Sequence, residues 1–159
     1  MRHLFKILPL AVFITACTST FGDLSNNALD YQDAISQSSN SVIGKTILVG
    51  GPIIAYNYDQ HSTQIEIINA PLNEQDAPAN SGNPRQRAII VISEYIPAEQ
   101  LNNVKISALG TITDIANLNK YGNSTVIMLT ASKFRIWRSA KPMFDPNNKE
   151  RYGYTYKFQ

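Results

Sequence analysis

From Val42 onward, apolar and β-branched residues come in short runs separated by turn-forming residues, the pattern of an all-β chain. Thr46 to Tyr56 predicts a first strand, interrupted by Gly50-Gly51-Pro52. Glycine inside a strand marks a bulge or bend, and proline is tolerated where a ladder donor is already lost. This strand is therefore expected to bend and to serve two sides of a small barrel. Asn57 to Ser62 reads as a turn. Thr63 to Asn69 then sets Gln64 and Glu66 against Ile65 and Ile67, the period of a half-buried strand, which completes a hairpin.

Asn73 to Arg85 is a long polar connection with Pro78, Ser81-Gly82-Asn83 and Pro84, too many breakers for regular structure, and it is expected to be the most mobile part of the domain. Arg87 to Glu94 contains Ala88-Ile89-Ile90-Val91-Ile92 and predicts a central strand. Pro97 opens Ala98-Glu99-Gln100-Leu101, a short helix with proline at its first position. Val104 to Ile115 alternates again, Asn117 to Asn123 is a turn, and Thr125 to Trp137 is a long last strand. Five strands with a short helix after the third is the order of an OB-like barrel. Closure would hide the edges of the Ile89 to Ile92 run, and an open sandwich is the competing arrangement. Either way the expected core is Ile47, Val49, Ile65, Ile67, Ile90, Ile92, Ile106, Ile112, Val126, Met128 and Ile136.

The segment before this domain has a different pattern. Arg2 and Lys6 precede an apolar stretch, Ile7 to Ile14, too short to span a bilayer, and Ile14-Thr15-Ala16-Cys17 ends it with small residues and the one cysteine of the chain. This reads as a lipoprotein signal over residues 1–16, with an acylated Cys17 as the lipid attachment point. A plain secretory signal or an uncleaved anchor would leave an unpaired thiol in an oxidising compartment without a role. Thr18 to Asn40 is polar, with apolar residues too sparse to bury much surface, and residues 17–41 are expected to be a flexible tether. Around Leu29 and Ile35 a weak helical turn or two is the alternative. The barrel then occupies residues 42–138 and a tail residues 139–159.

Removing the signal leaves 143 residues, enough for one domain with a core that needs no disulfide. The charge of +2 is that of Arg2 and Lys6, so the remainder is formally neutral, which argues against nucleic acid as a partner. The distribution is uneven, with +5 over residues 133–159 and −5 over residues 17–132. Tyr152, Tyr154, Tyr156 and Phe158 alternate along the tail, so that an extended backbone puts four aromatics on one face. Such a face beside cations suits membrane headgroups, and it equally suits a sixth strand packed on the barrel. The candidate contact residues are Arg135, Arg138, Lys141, Lys149, Arg151, Tyr152, Tyr154, Tyr156, Lys157 and Phe158, and the expected partners are membrane lipid through Cys17 and an anionic membrane group or a protein.

Catalytic patterns are weak. His61 beside Asp59 in a turn reads as a solvated histidine, since a triad also needs an oriented nucleophile and Ser62 cannot face His61 from the adjacent position. With only His3 and His61, converging metal ligands are not expected, and Gly50-Gly51 lacks the Lys-Ser/Thr ending of a phosphate loop. No cofactor is implied. Glu66 and Arg87 are expected to form a cross-strand ion pair of structural value. A small envelope molecule or oligosaccharide on the barrel face is the alternative role, with Tyr56 and Tyr58 as its few nearby aromatics.

Gly44-Lys45 leading to Gly50-Gly51-Pro52-Ile53, then Thr63-Gln64-Ile65-Glu66-Ile67 and Ala70-Pro71-Leu72-Asn73, resembles the Slp family of outer membrane lipoproteins. Arg87, Gly110-Thr111-Ile112, Tyr121 and Trp137 follow in that family's order, so that the resemblance spans about residues 42–138. Val49, Asn73 and Glu94-Tyr95-Ile96-Pro97 depart from the family pattern, as in a divergent member. The resemblance implies a Gram-negative outer membrane lipoprotein, associated in some members with starvation or stationary phase, and implies no established catalytic activity; the expected partners are then outer membrane lipid through Cys17 and an envelope protein or lipopolysaccharide. Thr18 follows the cysteine in place of the Asp associated with inner-membrane retention.

Overall fold

The computed structural model describes residues 19–118 and 124–138. The alternating runs form five strands: β1 (Thr46–Asp59), β2 (Ser62–Ile68), β3 (Gln86–Ile92), β4 (Lys105–Leu118) and β5 (Ser124–Trp137). They close into a barrel in the order β1-β2-β3-β5-β4. All neighbours are antiparallel except β3 and β5, which run parallel from Gln86 opposite Thr125. This is the OB-like barrel, and closure excludes the open sandwich.

The bend in β1 is what allows closure. Thr46 to Pro52 pairs with β4, and Ile53 to Asp59 pairs with β2, so the strand changes partner at Gly51-Pro52-Ile53. Gly51 passes so close to β2 that a Cβ there would overlap the Ile68 carbonyl. Where β1 has left β2, its free edge is covered by backbone bonds from Leu29 N–H to Thr46 O (2.9 Å), Leu48 N–H to Leu29 O (3.0 Å) and Ala70 N–H to Gly50 O (2.8 Å). An edge satisfied in this way offers no template to another chain.

Ten of the eleven expected core residues are buried, among them Ile47, Ile65, Ile67, Ile90 and Ile106 without measurable exposure. Each such side chain contributes on the order of 1.5–3 kcal/mol relative to an exposed position. Met128 is the exception. It is half-buried, while Ile127 and Leu129 take the interior positions opposite Ala88 and Ile90 of β3. The phase of β5 shifts near Ser132, where Leu109 pairs with Lys133 but the next residue, Gly110, pairs with Ala131. Counting back from Ile136 in steps of two crosses this bulge and lands on the wrong face.

Among the described residues, a 3-10 turn (Gly22–Leu24) and three short α-helices accompany the strands: α1 (Tyr31–Ser36), α2 (Ser39–Val42) and α3 (Ala98–Leu101). Leu101 of α3 is buried, and Pro97 is the residue preceding this helix, with an extended ψ of 141°, rather than its first turn. The helices α1 and α2 correct the expectation of a flexible tether. Asp30 caps α1 through Asp33 N–H (2.7 Å), and Tyr31, Ala34 and Val42 belong to the barrel core. Phe21 ahead of them is also buried. Sparse apolar residues suffice here because the closed barrel supplies the surface that covers them.

Candidate functional site

The β2–β3 connection is irregular, as its breakers predict, but it is held down along its length rather than free. Asn73 Oδ1 accepts from Gln75 and Ala77 N–H groups (3.0 and 2.9 Å), an Asx-type turn that replaces regular backbone pairing. Lys105 Nζ of β4 donates to Pro78 O (2.6 Å) and Asn80 Oδ1 (3.0 Å). Leu72 and Pro78 lie against Gly50, where a side chain on β1 would displace them.

Onto this loop docks the start of the described chain. The Thr20 hydroxyl donates to Gln75 O (2.6 Å), and Phe21 N–H donates to the carboxylate of Asp76 (3.2 Å), which is itself buried. Arg135 of β5 reaches the same point, with Nη1 donating to Thr20 Oγ1 (2.7 Å). Its guanidinium stacks 3.9 Å from the Trp137 ring centroid, and Trp137 Nε1 donates to Ser107 Oγ of β4 (2.7 Å). Arg135 Nε is buried without an acceptor, so the arginine is held by its stack and by Thr20. A guanidinium over an indole contributes about 0.5–2 kcal/mol depending on its desolvation. Three segments far apart in sequence thus meet on the outer side of β4 and β5.

Of the candidate contact residues, Arg135 is half-buried and engaged, and Arg138 is exposed just beyond β5. Lys141, Lys149, Arg151, Tyr152, Tyr154, Tyr156, Lys157 and Phe158, like Cys17 and the sixth-strand alternative, lie outside the described residues. The part of Thr20, Gln75 and Asp76 had no signal in the sequence, because three polar residues without local spacing look like any solvated surface.

A second cluster sits near the β1–β2 hairpin. Tyr58 packs on Tyr95 (4.9 Å between centroids) and edge-on to Tyr56 (5.8 Å), and its hydroxyl donates to Ile96 O (2.9 Å). Tyr95 is 68 % exposed. Partial desolvation, with Tyr95, Tyr56 and Glu99 nearby, raises the Tyr58 phenol above its ordinary value. Beside it, Ala55, Tyr56, Asn57, Gln64, Glu66 and Ile89 line a shallow depression of about 130 Å³. Glu66 and Arg87 form the expected ion pair at 2.7 Å, diagonally across β2 and β3. His61 is exposed in the two-residue β1–β2 turn, and Asp59 beside it accepts from Gln60 N–H (2.7 Å). No group of three metal-ligating side chains converges among the described residues.

A small closed barrel behind an apolar N-terminal stretch that ends in a lone cysteine is the arrangement expected of a lipid-anchored envelope protein. Residues 14–159 match the outer membrane lipoprotein Slp family, and the chain belongs to that family. Its place is therefore the outer membrane, held by lipid. Among individually curated proteins no match was found.

Proposed function

We propose that Cys17 carries the lipid and that the barrel works without catalysis, as an interaction domain whose cationic β5 end meets anionic groups of the envelope. The observation that carries this reading is the charge at that end. Lys133, Arg135 and Arg138 come together on β5 and just beyond it, while the ion pair seen among the described residues, Glu66 with Arg87, lies elsewhere on the barrel. In the sequence Lys141, Lys149, Arg151 and Lys157 continue the same sign, and the four alternating aromatics add an apolar face. Lipopolysaccharide phosphates or an acidic envelope protein would complement it, and a rise in stationary phase or under stress belongs to the same reading.

The test has two parts. A clickable fatty acid should label the wild type in cells and leave Cys17→Ser unlabelled; an unlabelled wild type overturns the anchor. Reversing charge at Arg138, Lys141 and Arg151 should weaken binding of the Cys17→Ser protein to isolated outer membranes, most strongly at low salt. Unchanged binding at low salt overturns the electrostatic part.

The tyrosine cluster favours a second reading, a module that captures a small envelope molecule or sugar. An exposed Tyr95 stacked on Tyr58 offers a ring face beside the strand 2–3 surface that OB-like barrels use for oligosaccharides. At about 130 Å³ the depression is below the usual 300–1,000 Å³ of ligand sites, enough for one ring and no more.

A further inference from the structure

Thr20 is bonded from two directions, to Gln75 O and from Arg135 Nη1, and Phe21 after it is buried on Asp76. In the sequence only Thr18 and Ser19 separate Thr20 from Cys17. An extended chain advances at most about 3.6 Å per residue, so the two Cα atoms lie within about 11 Å of each other. The headgroup zone of one leaflet is roughly 5–8 Å deep. An acylated cysteine starts at the foot of that zone, which leaves Thr20 no more than about 3–6 Å of clearance above the headgroups.

We infer that the barrel rests directly on the phospholipid leaflet that holds its acyl chains, with the Thr20, Arg135 and Trp137 side turned to the headgroups and Trp137 and Arg138 touching them. This rests on Cys17 being the acylated residue. The chemistry of that side agrees with the geometry. An indole with a guanidinium beside it joins an apolar ring to a phosphate-binding cation, the combination enriched at membrane interfaces. Arg138 is exposed at the next position, and Asp76 is turned inward onto Phe21. The short connection by itself enforces the contact, so that it holds on a zwitterionic surface as well. Lipid-anchored in this way, the domain has one side committed to the membrane and presents the others to the compartment.

Trp137 is the one tryptophan of the chain, so its fluorescence reports on this side alone. The acylated full chain is reconstituted in phosphatidylcholine vesicles containing lipid brominated near the carbonyl end of its acyl chains. A second variant carries about 20 Gly/Ser residues between Thr18 and Ser19, a flexible spacer of about 25 Å. The expected result is at least two-fold quenching of Trp137 in the wild type and loss of most of it in the spacer variant at equal vesicle binding. A wild type acylated at Cys17 but unquenched overturns the docking alone, as it would if residues 139–159 or a protein covered Trp137 instead. Equal quenching with the spacer overturns the short connection as its cause. Mass analysis of the Cys17 peptide reads the anchor independently, and acylation elsewhere overturns both readings.

Discussion

The Tyr31 hydroxyl lies 2.7 Å from the Thr125 carbonyl, joining a helix that precedes the barrel to the strand that closes it. The same oxygen is 3.0 Å from the Arg87 carbonyl and accepts from the Arg87 N–H at 3.1 Å. These groups stand where β3 and β5 begin to run side by side, so one phenol serves the start of the parallel pair. Parallel pairing is slightly weaker per residue than antiparallel, which makes an outside partner at its start worth having.

Tyr31→Phe should cost about 1–3 kcal/mol, because it removes the hydroxyl that joins the Arg87 backbone to the Thr125 carbonyl in a partly buried place. Urea unfolding of the Cys17→Ser protein is expected to show a lower midpoint at unchanged m. The pH dependence has a definite sign. Burial raises the Tyr31 phenol above its ordinary value, against a smaller opposing effect of the Arg87 backbone bond. The folded state thus holds this proton more tightly than the unfolded chain, whose tyrosines titrate near 10. The contribution is complete below about pH 10 and is lost as pH rises above it. Midpoints measured from about pH 8 to pH 11 should fall less steeply in Tyr31→Phe, with a residual from Tyr58, whose phenol is also raised.

Thr63 is fully buried, donating to Glu94 O (2.7 Å) and accepting from Ile96 N–H (3.0 Å), and so it folds the β3–α3 connection back onto β2. Thr63→Val preserves shape but strands both backbone groups, at about 1–3 kcal/mol. Thr63→Ser retains the hydroxyl and should lose less. Hydrogen exchange of the Ile96 amide separates the two variants: protection falls in the valine protein and largely survives in the serine one.

Gly51→Ala should be the most damaging of the glycine substitutions in β1. Its Cβ would meet the backbone carbonyl of Ile68, which cannot rotate away, whereas at Gly50 the nearest atoms are the Leu72 and Pro78 side chains. We expect a loss of about 3 kcal/mol at Gly51, the upper part of the usual range for overpacking, and less at Gly50. Thermal unfolding of the two variants side by side checks the order.

The strands were legible because their signals are local. Ile65 and Ile67 alternate with Gln64 and Glu66 within one run, and Gly50-Gly51-Pro52 carries the bend of β1 in three consecutive residues. Met128 was misplaced because the bulge near Ser132 depends on how β4 lies against β5, and no residue type in β5 announces it. The tether expected before residue 42 failed for a related reason. The helical turn considered around Leu29 and Ile35 is there as α1, with Tyr31 and Ala34 three apart on its buried face, but Phe21 and Val42 lie outside that period and are buried because the closed barrel and its loop provide a surface to receive them.

For the site, Cys17 and the cationic, aromatic character of the chain after residue 133 could be read directly, since both are matters of residue type and order. That Arg135 is engaged could not. Its contact with Thr20 joins residues 115 apart, and Thr20 meets Gln75 across 55. By itself the sequence determined the all-β class, the strand positions and the family, because alternation, turn residues and short motifs are written over a few adjacent positions. The tertiary structure alone decided that the chain just after Cys17 is clamped beside Trp137, because hydrogen bonds between distant segments come into being only when barrel closure brings them within 3 Å.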